Sequence, residues 1–196
     1  MMELINLVNP FSWLEKFLEW RKRPLPIIRF KYALNPINEN NHCHLRSNMD
    51  YYNTNSWFFR LGVDNDGKTS IKNADVRVEK IERIFPTERV IITNSPFFLH
   101  WANENTDNSR MIYPKTPVYI DMIYTVEGKT LVYLFHKSKH IGAGIKTTLV
   151  PGKYEITIKL LAENISPVER KILVESNGDW YGVKMGLIQE NYCRHL

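Results

Sequence analysis

Soft metal ligands are grouped at two places in this 196-residue chain, His42-Cys43-His44 and Cys193-Arg194-His195. Zinc requires four nitrogen or sulfur donors in a tetrahedron, and these spacings match no zinc signature. In an extended segment His42 and His44 would point one way and Cys43 the other. The two groups read as polar loop and tail, and no metal or other cofactor is expected. A second group, Lys137, Lys139, His140 and Lys146 around Gly142-Ala143-Gly144, could contact an anion, because glycine lets backbone amides converge. It lacks the Gly-Lys-Ser/Thr of a phosphate loop and the strand-to-helix setting such a loop needs. Paired carboxylates for acid–base work would have to come from Asp64, Asp66, Asp75, Asp121, Glu127 or Glu163. Most of these sit at turns or on the wet side of strands, and Asp121, though in an apolar run, is expected to face outward. No serine or cysteine lies in a nucleophile context such as Gly-x-Ser-x-Gly. The chain is therefore not expected to be an enzyme.

Aromatic side chains offer a different chemistry. Residues 10–23 read Pro-Phe-Ser-Trp-Leu-Glu-Lys-Phe-Leu-Glu-Trp-Arg-Lys-Arg. Asn9-Pro10 is one helix-start signal, and Ser12 with Glu15 three residues on is another. Phe11, Trp13, Leu14, Phe17, Leu18 and Trp20 form a broad apolar face, and Arg21, Lys22 and Arg23 close the last turn, where positive charge suits the helix dipole. Pro24 and Pro26 stop the helix. Residues 1–23 do not read as a secretory signal, because the positive charge follows the apolar part and acidic residues interrupt it. The longest uncharged run, Leu4 to Leu14, is far short of the ~20 residues that cross a bilayer. Two roles fit such a helix: packing on its own domain or on a protein partner, or lying in an anionic membrane interface. A ligand-binding alternative rests on Trp57, Trp101 and Trp180. Exposed, coplanar tryptophans would stack on a carbohydrate or small ligand, and buried ones would remove that idea.

Charge points the same way. The net charge is +5, and residues 1–31 hold a surplus of three positive charges. The near-neutral remainder argues against nucleic-acid binding. Two cysteines, Cys43 and Cys193, imply no disulfide scaffold, so a cytoplasmic protein, attached to a membrane if at all through its helix, is expected.

The elements that must position these residues are strands. Tyr154, Ile156, Ile158, Leu160 and Ala162 share one parity, while Lys153, Glu155, Thr157, Lys159 and Glu163 share the other. That is a strand with one buried and one wet face. Ile28, Phe30, Tyr32 and Leu34 alternate likewise, and residues 35–56 read as a long polar loop holding at most a short strand. Trp57, Phe59, Leu61 and Val63 lead into Asn65-Asp66-Gly67, and Ala74, Val76 and Val78 lead out, predicting two antiparallel neighbours across a turn. Short strands are expected at 90–93 and 97–101. Val118, Ile120, Met122, Tyr124 and Val126 predict another strand by alternation. Leu131–Phe135 reads as fully buried, and a last strand runs through Ile172 and Val174 with one more in the tail. Asn164-Ile165-Ser166 fits a glycosylation pattern but is discounted, since Pro167 follows and no export signal is read.

Leu61-Gly-Val-Asp-Asn-Asp-Gly67 followed by Ala74-Asp-Val-Arg-Val78 resembles the strand–turn–strand signature of immunoglobulin-like domains of the bacterial, cell-adhesion-related type. Pro151-Gly-Lys-Tyr154 resembles the entry to their penultimate strand, where a corner tyrosine is frequent. The resemblance covers roughly 57–80 and 149–175 and implies an immunoglobulin-like antiparallel β-sandwich acting as a binding, spacer or assembly module. The expected organisation is an amphipathic helix and linker over 1–26 and a sandwich over 27–196.

Overall fold

The computed structural model describes residues 12–29, 43–49, 54–86, 88–102, 108–137 and 147–188, with backbone alone for 43–49. One helix, α1 (Ser12–Lys22), precedes the strands β1 (Pro26–Arg29), β2 (Cys43–Met49), β3 (Thr54–Asn65), β4 (Ile71–Phe85), β5 (Val90–Thr93), β6 (Phe97–Phe98) and β7 (His100–Trp101). Then come β8 (Arg110–Ile112), β9 (Val118–Val126), β10 (Val132–Leu134), β11 (Thr148–Leu149), β12 (Gly152–Leu161), β13 (Val168–Ser176) and β14 (Val183–Leu187). Among the described residues every pairing is antiparallel, and the strands sort into two sheets. In the first, β3 and β9 are central. β1 and β2 follow one another along the free edge of β3, β7 and β10 do the same along β9, and β11 extends β10. The second runs β14-β13-β12-β4, with β5, β6 and β8 placed in succession along the other edge of β4. The architecture is an all-β sandwich.

Alternation explains the core. Tyr154, Ile156, Ile158 and Leu160 of β12 are buried, whereas Lys153, Thr157 and Lys159 are only partly covered. They join Leu61, Val63, Ile120 and Met122 of the first sheet in one hydrophobic cluster. Each such side chain contributes about 2 kcal/mol by leaving water. Where β12 enters, the Tyr154 hydroxyl donates to the Val150 carbonyl at 2.8 Å, tying the corner to the strand it opens. The β12–β13 hairpin pairs in register from Gly152↔Ser176 to Leu160↔Val168. At its turn, the Asn164 amide accepts from the Lys72 N–H at 2.8 Å and donates to the Ser70 carbonyl at 2.9 Å.

Three expectations are corrected. β3 and β4 are not neighbours: β3 pairs with β1, β2 and β9, and β4 with β12, β5, β6 and β8. Asn65-Asp66-Gly67 carries the chain from one sheet to the other. The reason is the buried Asn65 side chain, which caps the turn from inside. Its Oδ1 accepts from the amides of Gly67 (3.0 Å) and Leu25 (3.1 Å), and its Nδ2 donates to the carbonyls of Thr69 (2.8 Å) and Ile112 (3.2 Å).

In β9 the parity changes partway. Phe59 opposes Ile123 but Arg60 opposes Asp121, so Met122 is an extra residue, a β-bulge. Ile123 and Thr125 therefore turn inward, and Tyr124 and Val126, expected inside, lie on the less buried side. One inserted residue swaps every later side chain to the other face. Third, the strand expected over 131–135 forms only over Val132–Leu134, with Tyr133 half-buried.

Candidate functional site

The helix sits where the sheet-crossing turn can hold it. The Thr69 hydroxyl donates to the Lys22 carbonyl at 2.8 Å, and the Asp66 amide donates to the Leu25 carbonyl at 2.9 Å. Gly67 lies so close beneath the linker that a Cβ there would meet the Arg23 carbonyl and stand 2.6 Å from the Leu25 nitrogen. Residues 22–25 are thus bonded to the turn at the root of β4.

Beyond that root, α1 buries nothing. Trp13 is 66% exposed, Trp20 54%, Leu18 46%, Phe17 45% and Leu14 38%. At 3.6 residues per turn these five fall within an arc of about 160°. Glu15, Lys16, Glu19, Lys22 and Arg23 occupy the rest, while Arg21 falls inside the apolar arc. Local contacts organise this face. The Phe17 and Trp20 rings stack at 6.0 Å. The Arg21 guanidinium lies 5.6 Å from the Phe17 ring centre and that of Arg23 4.7 Å from Trp20, cation–π distances. Phe11 lies outside the described residues.

The basic-loop group fares differently. Lys137 is 1% exposed. Its ammonium donates to Asp75 Oδ1 at 2.5 Å and to the Asn108 carbonyl at 3.3 Å, and the Ser109 hydroxyl takes the other Asp75 oxygen. An ammonium so placed neutralises a carboxylate of its own chain, so Lys137 is not presented to a solvent anion. Lys139, His140 and Lys146 lie outside the described residues. Asp121 is also corrected. It lies on the outer side of β9, yet it is buried, and Arg60 pairs with it at 2.6 Å.

Among the tryptophans, Trp101 is 1% exposed and Trp57 8%, with Trp180 stacked on Trp57 at 6.3 Å. Trp57 and Trp101 form no open stacking platform. Among the described residues no group of three or more His, Cys, Asp or Glu is placed to hold a metal. His42, Cys193 and His195 lie outside them, and of Cys43 and His44 only the backbone is described.

Two features escaped sequence reading. On the outer side of β12, Glu155 is largely covered by its own partners: Lys171 at 2.9 Å and Arg89 at 3.5 Å, with Arg89 also reaching Glu82 at 3.0 Å. The hydrogen bond from Lys171 holds the Glu155 carboxyl below its usual range, against burial and with help from Arg89. Glu155 in turn raises Lys171 and Arg89. No spacing within β12 signals this cluster, because Lys171 comes from β13 and Arg89 from the residues before β5. On the outer side of the first sheet, Phe58 is buried beside Tyr124 (5.6 Å) and Phe135 (5.7 Å), and Tyr124 stacks on Tyr133 at 5.0 Å. Burial pushes the Tyr124 hydroxyl up, and Tyr133 adds to it.

Set beside known protein families, curated proteins and solved structures, the chain matches none. No helix among the described residues is long and apolar enough to cross a membrane.

Proposed function

We propose that this chain is a non-enzymatic interaction module, a β-sandwich attached through α1 to an anionic membrane surface. The observation that carries it is the exposure of Trp13, Leu14, Phe17, Leu18 and Trp20 on one arc of an anchored helix. A helix serving to cover its own sandwich would bury that arc. Solvent-facing apolar side chains of this size mark a surface that another body covers. A membrane fits better than a protein groove because tryptophan favours the interface and Arg21, within the apolar arc, is long enough to extend its guanidinium to headgroups. Lys22 and Arg23 add attraction to acidic lipid, about 1 kcal/mol per basic residue near the surface. The Tyr154 corner supports an immunoglobulin-like type for the sandwich, a scaffold suited to assembly.

Co-sedimentation with vesicles of phosphatidylcholine, with and without a third of phosphatidylserine, tests this at two salt concentrations. The full chain is expected to bind the anionic vesicles, less at high salt. Replacing Trp13, Phe17 and Trp20 together by serine should weaken binding at least ~30-fold, as loss of a few kcal/mol of apolar contact requires. Equal sedimentation of parent and triple variant would refute attachment through α1. Absence of vesicle binding with α1-dependent self-association would move the surface from lipid to protein.

A further inference from the structure

At the end of the second sheet remote from α1, four strands bring Phe85, Lys153, Glu175 and Lys184 into one row. The register pairs Lys153 with both Phe85 and Glu175, and Glu175 with Lys184. An open cavity of about 660 Å³ lies against this row, closed at its margins by Pro86, Pro151 and the 176–182 segment. That volume suits a small organic ligand. Its wall is apolar where Phe85, 61% exposed, stands beside the two prolines. Two glycines, Gly152 and Gly182, also line it. Gly152 has φ +155°, and a Cβ there would come within 2.9 Å of the Phe85 carbonyl; a Cβ on Gly182 would run into the Asn177 side chain.

The polar groups differ in how far they are engaged. Asn177 is used internally, its Oδ1 accepting from the Asp179 amide at 2.9 Å and its Nδ2 donating to Asp179 at 3.1 Å. Ser176 Oγ accepts from the Gly178 amide. Lys153 neutralises Glu175 at 2.6 Å. Lys184 has no ion-pair partner among the described residues, so the lining carries one net positive charge beside an exposed aromatic ring.

We propose that this cavity binds a carboxylate carried on an apolar body, with the acid group at Lys184 and the body against Phe85, Pro86 and Pro151. The site goes beyond attachment through α1 and does not depend on it. β4 separates the two by about 45 Å of strand, so a chain held by its helix would keep the cavity open. The same chemistry is offered by a free aromatic acid and by the C-terminal residue of a peptide.

Amide chemical-shift titration of the full chain tests it with three probes: 3-phenylpropionate, an acetylated tetrapeptide ending in phenylalanine, and that peptide as its C-terminal amide. The expected result is saturable shifts confined to residues around 85–86, 150–153 and 175–184, with millimolar or better affinity for at least one acid. The peptide amide should bind at least ~5-fold more weakly than the peptide acid if a peptide is the source; selectivity for phenylpropionate would make it a free acid. Lys184→Gln and Phe85→Ala, both at exposed positions and checked for unchanged spectra elsewhere, should each weaken binding at least ~5-fold, as loss of one charged or apolar contact does. No saturable shifts by 20 mM in any probe, shifts located elsewhere, or unchanged affinity in Lys184→Gln would overturn the proposal.

Discussion

Replacing Asn65 by alanine should do more damage than its size suggests. The side chain is fully buried and uses both its oxygen and its nitrogen twice: two amides donate to Oδ1, from Leu25 and Gly67, and Nδ2 donates to the carbonyls of Thr69 and Ile112. Alanine leaves two N–H and two C=O groups to find water in a covered turn. At about 0.5–1.5 kcal/mol each, with some recovered by solvent at the exposed Leu25, the loss is about 3 kcal/mol. For a chain of this length the urea midpoint should drop by ~1.5 M, read by tryptophan fluorescence at pH 7. Asn65→Asp sharpens the test. It keeps the acceptor for Leu25 and Gly67 but sets its second oxygen against two carbonyl oxygens, which disfavours the charged form. The folded-state carboxyl then lies above its unfolded value near ~3.9. Its stability is fully present below that value and is lost as pH rises through the folded one. Asn65→Ala within about 0.5 kcal/mol of the parent, or Asn65→Asp with the parent's pH dependence, would refute the claim that this side chain holds the crossing between sheets.

Two further outcomes follow from the same geometry. Glu155 is held below the ordinary value of 4.5 by Lys171 and Arg89. Its contribution is therefore present above that value and lost as pH falls through the lowered one, so Glu155→Gln should flatten the acid limb of stability below the ordinary carboxylate value; parallel limbs in urea melts would count against it. Gly67→Ala, whose Cβ would meet the backbone of residues 23–25, should cost about 2 kcal/mol or more, whereas Gly186→Ala, with open space around it, should stay within about 0.5 kcal/mol. Equal calorimetric shifts for the two would remove the close packing of the linker on the turn.

Residue alternation made the class of fold legible. β12 shows it most fully, since Tyr154, Ile156, Ile158 and Leu160 are buried and, of the other parity between Lys153 and Lys159, only Glu155 is. The sheet assignment was not legible around Asn65. A turn triplet between two alternating segments serves a hairpin or a crossing equally well, and the difference lies in Asn65 contacts with Leu25 and Ile112, about 40 and 47 residues away in sequence. The β9 bulge was hidden for a similar reason. Met122 and Ile123 are both apolar, so the sequence runs smoothly past the point where the parity shifts. Lys137 and Asp121 read as solvated because charges usually are, and only tertiary pairing with Asp75 and Arg60 explains their burial. The aromatic arc of α1 could be drawn from spacing; its exposure could not, since the same pattern describes a helix lying flat on its own domain.

That exposure has an energetic consequence. An isolated helix of eleven residues is marginal in water, because nucleation is costly and few hydrogen bonds follow it. Here the C-terminal end is fixed by Thr69 and Asn65, and arginine–aromatic contacts span its last turns. The helix therefore starts from an anchored end and needs little more to be complete. Covering its five large apolar side chains would supply that, so under the proposed attachment the ordering of α1 and the binding of a membrane would form one linked equilibrium. On the same proposal, Asn65→Ala would free the anchored end and weaken vesicle co-sedimentation without touching a single side chain of the apolar face.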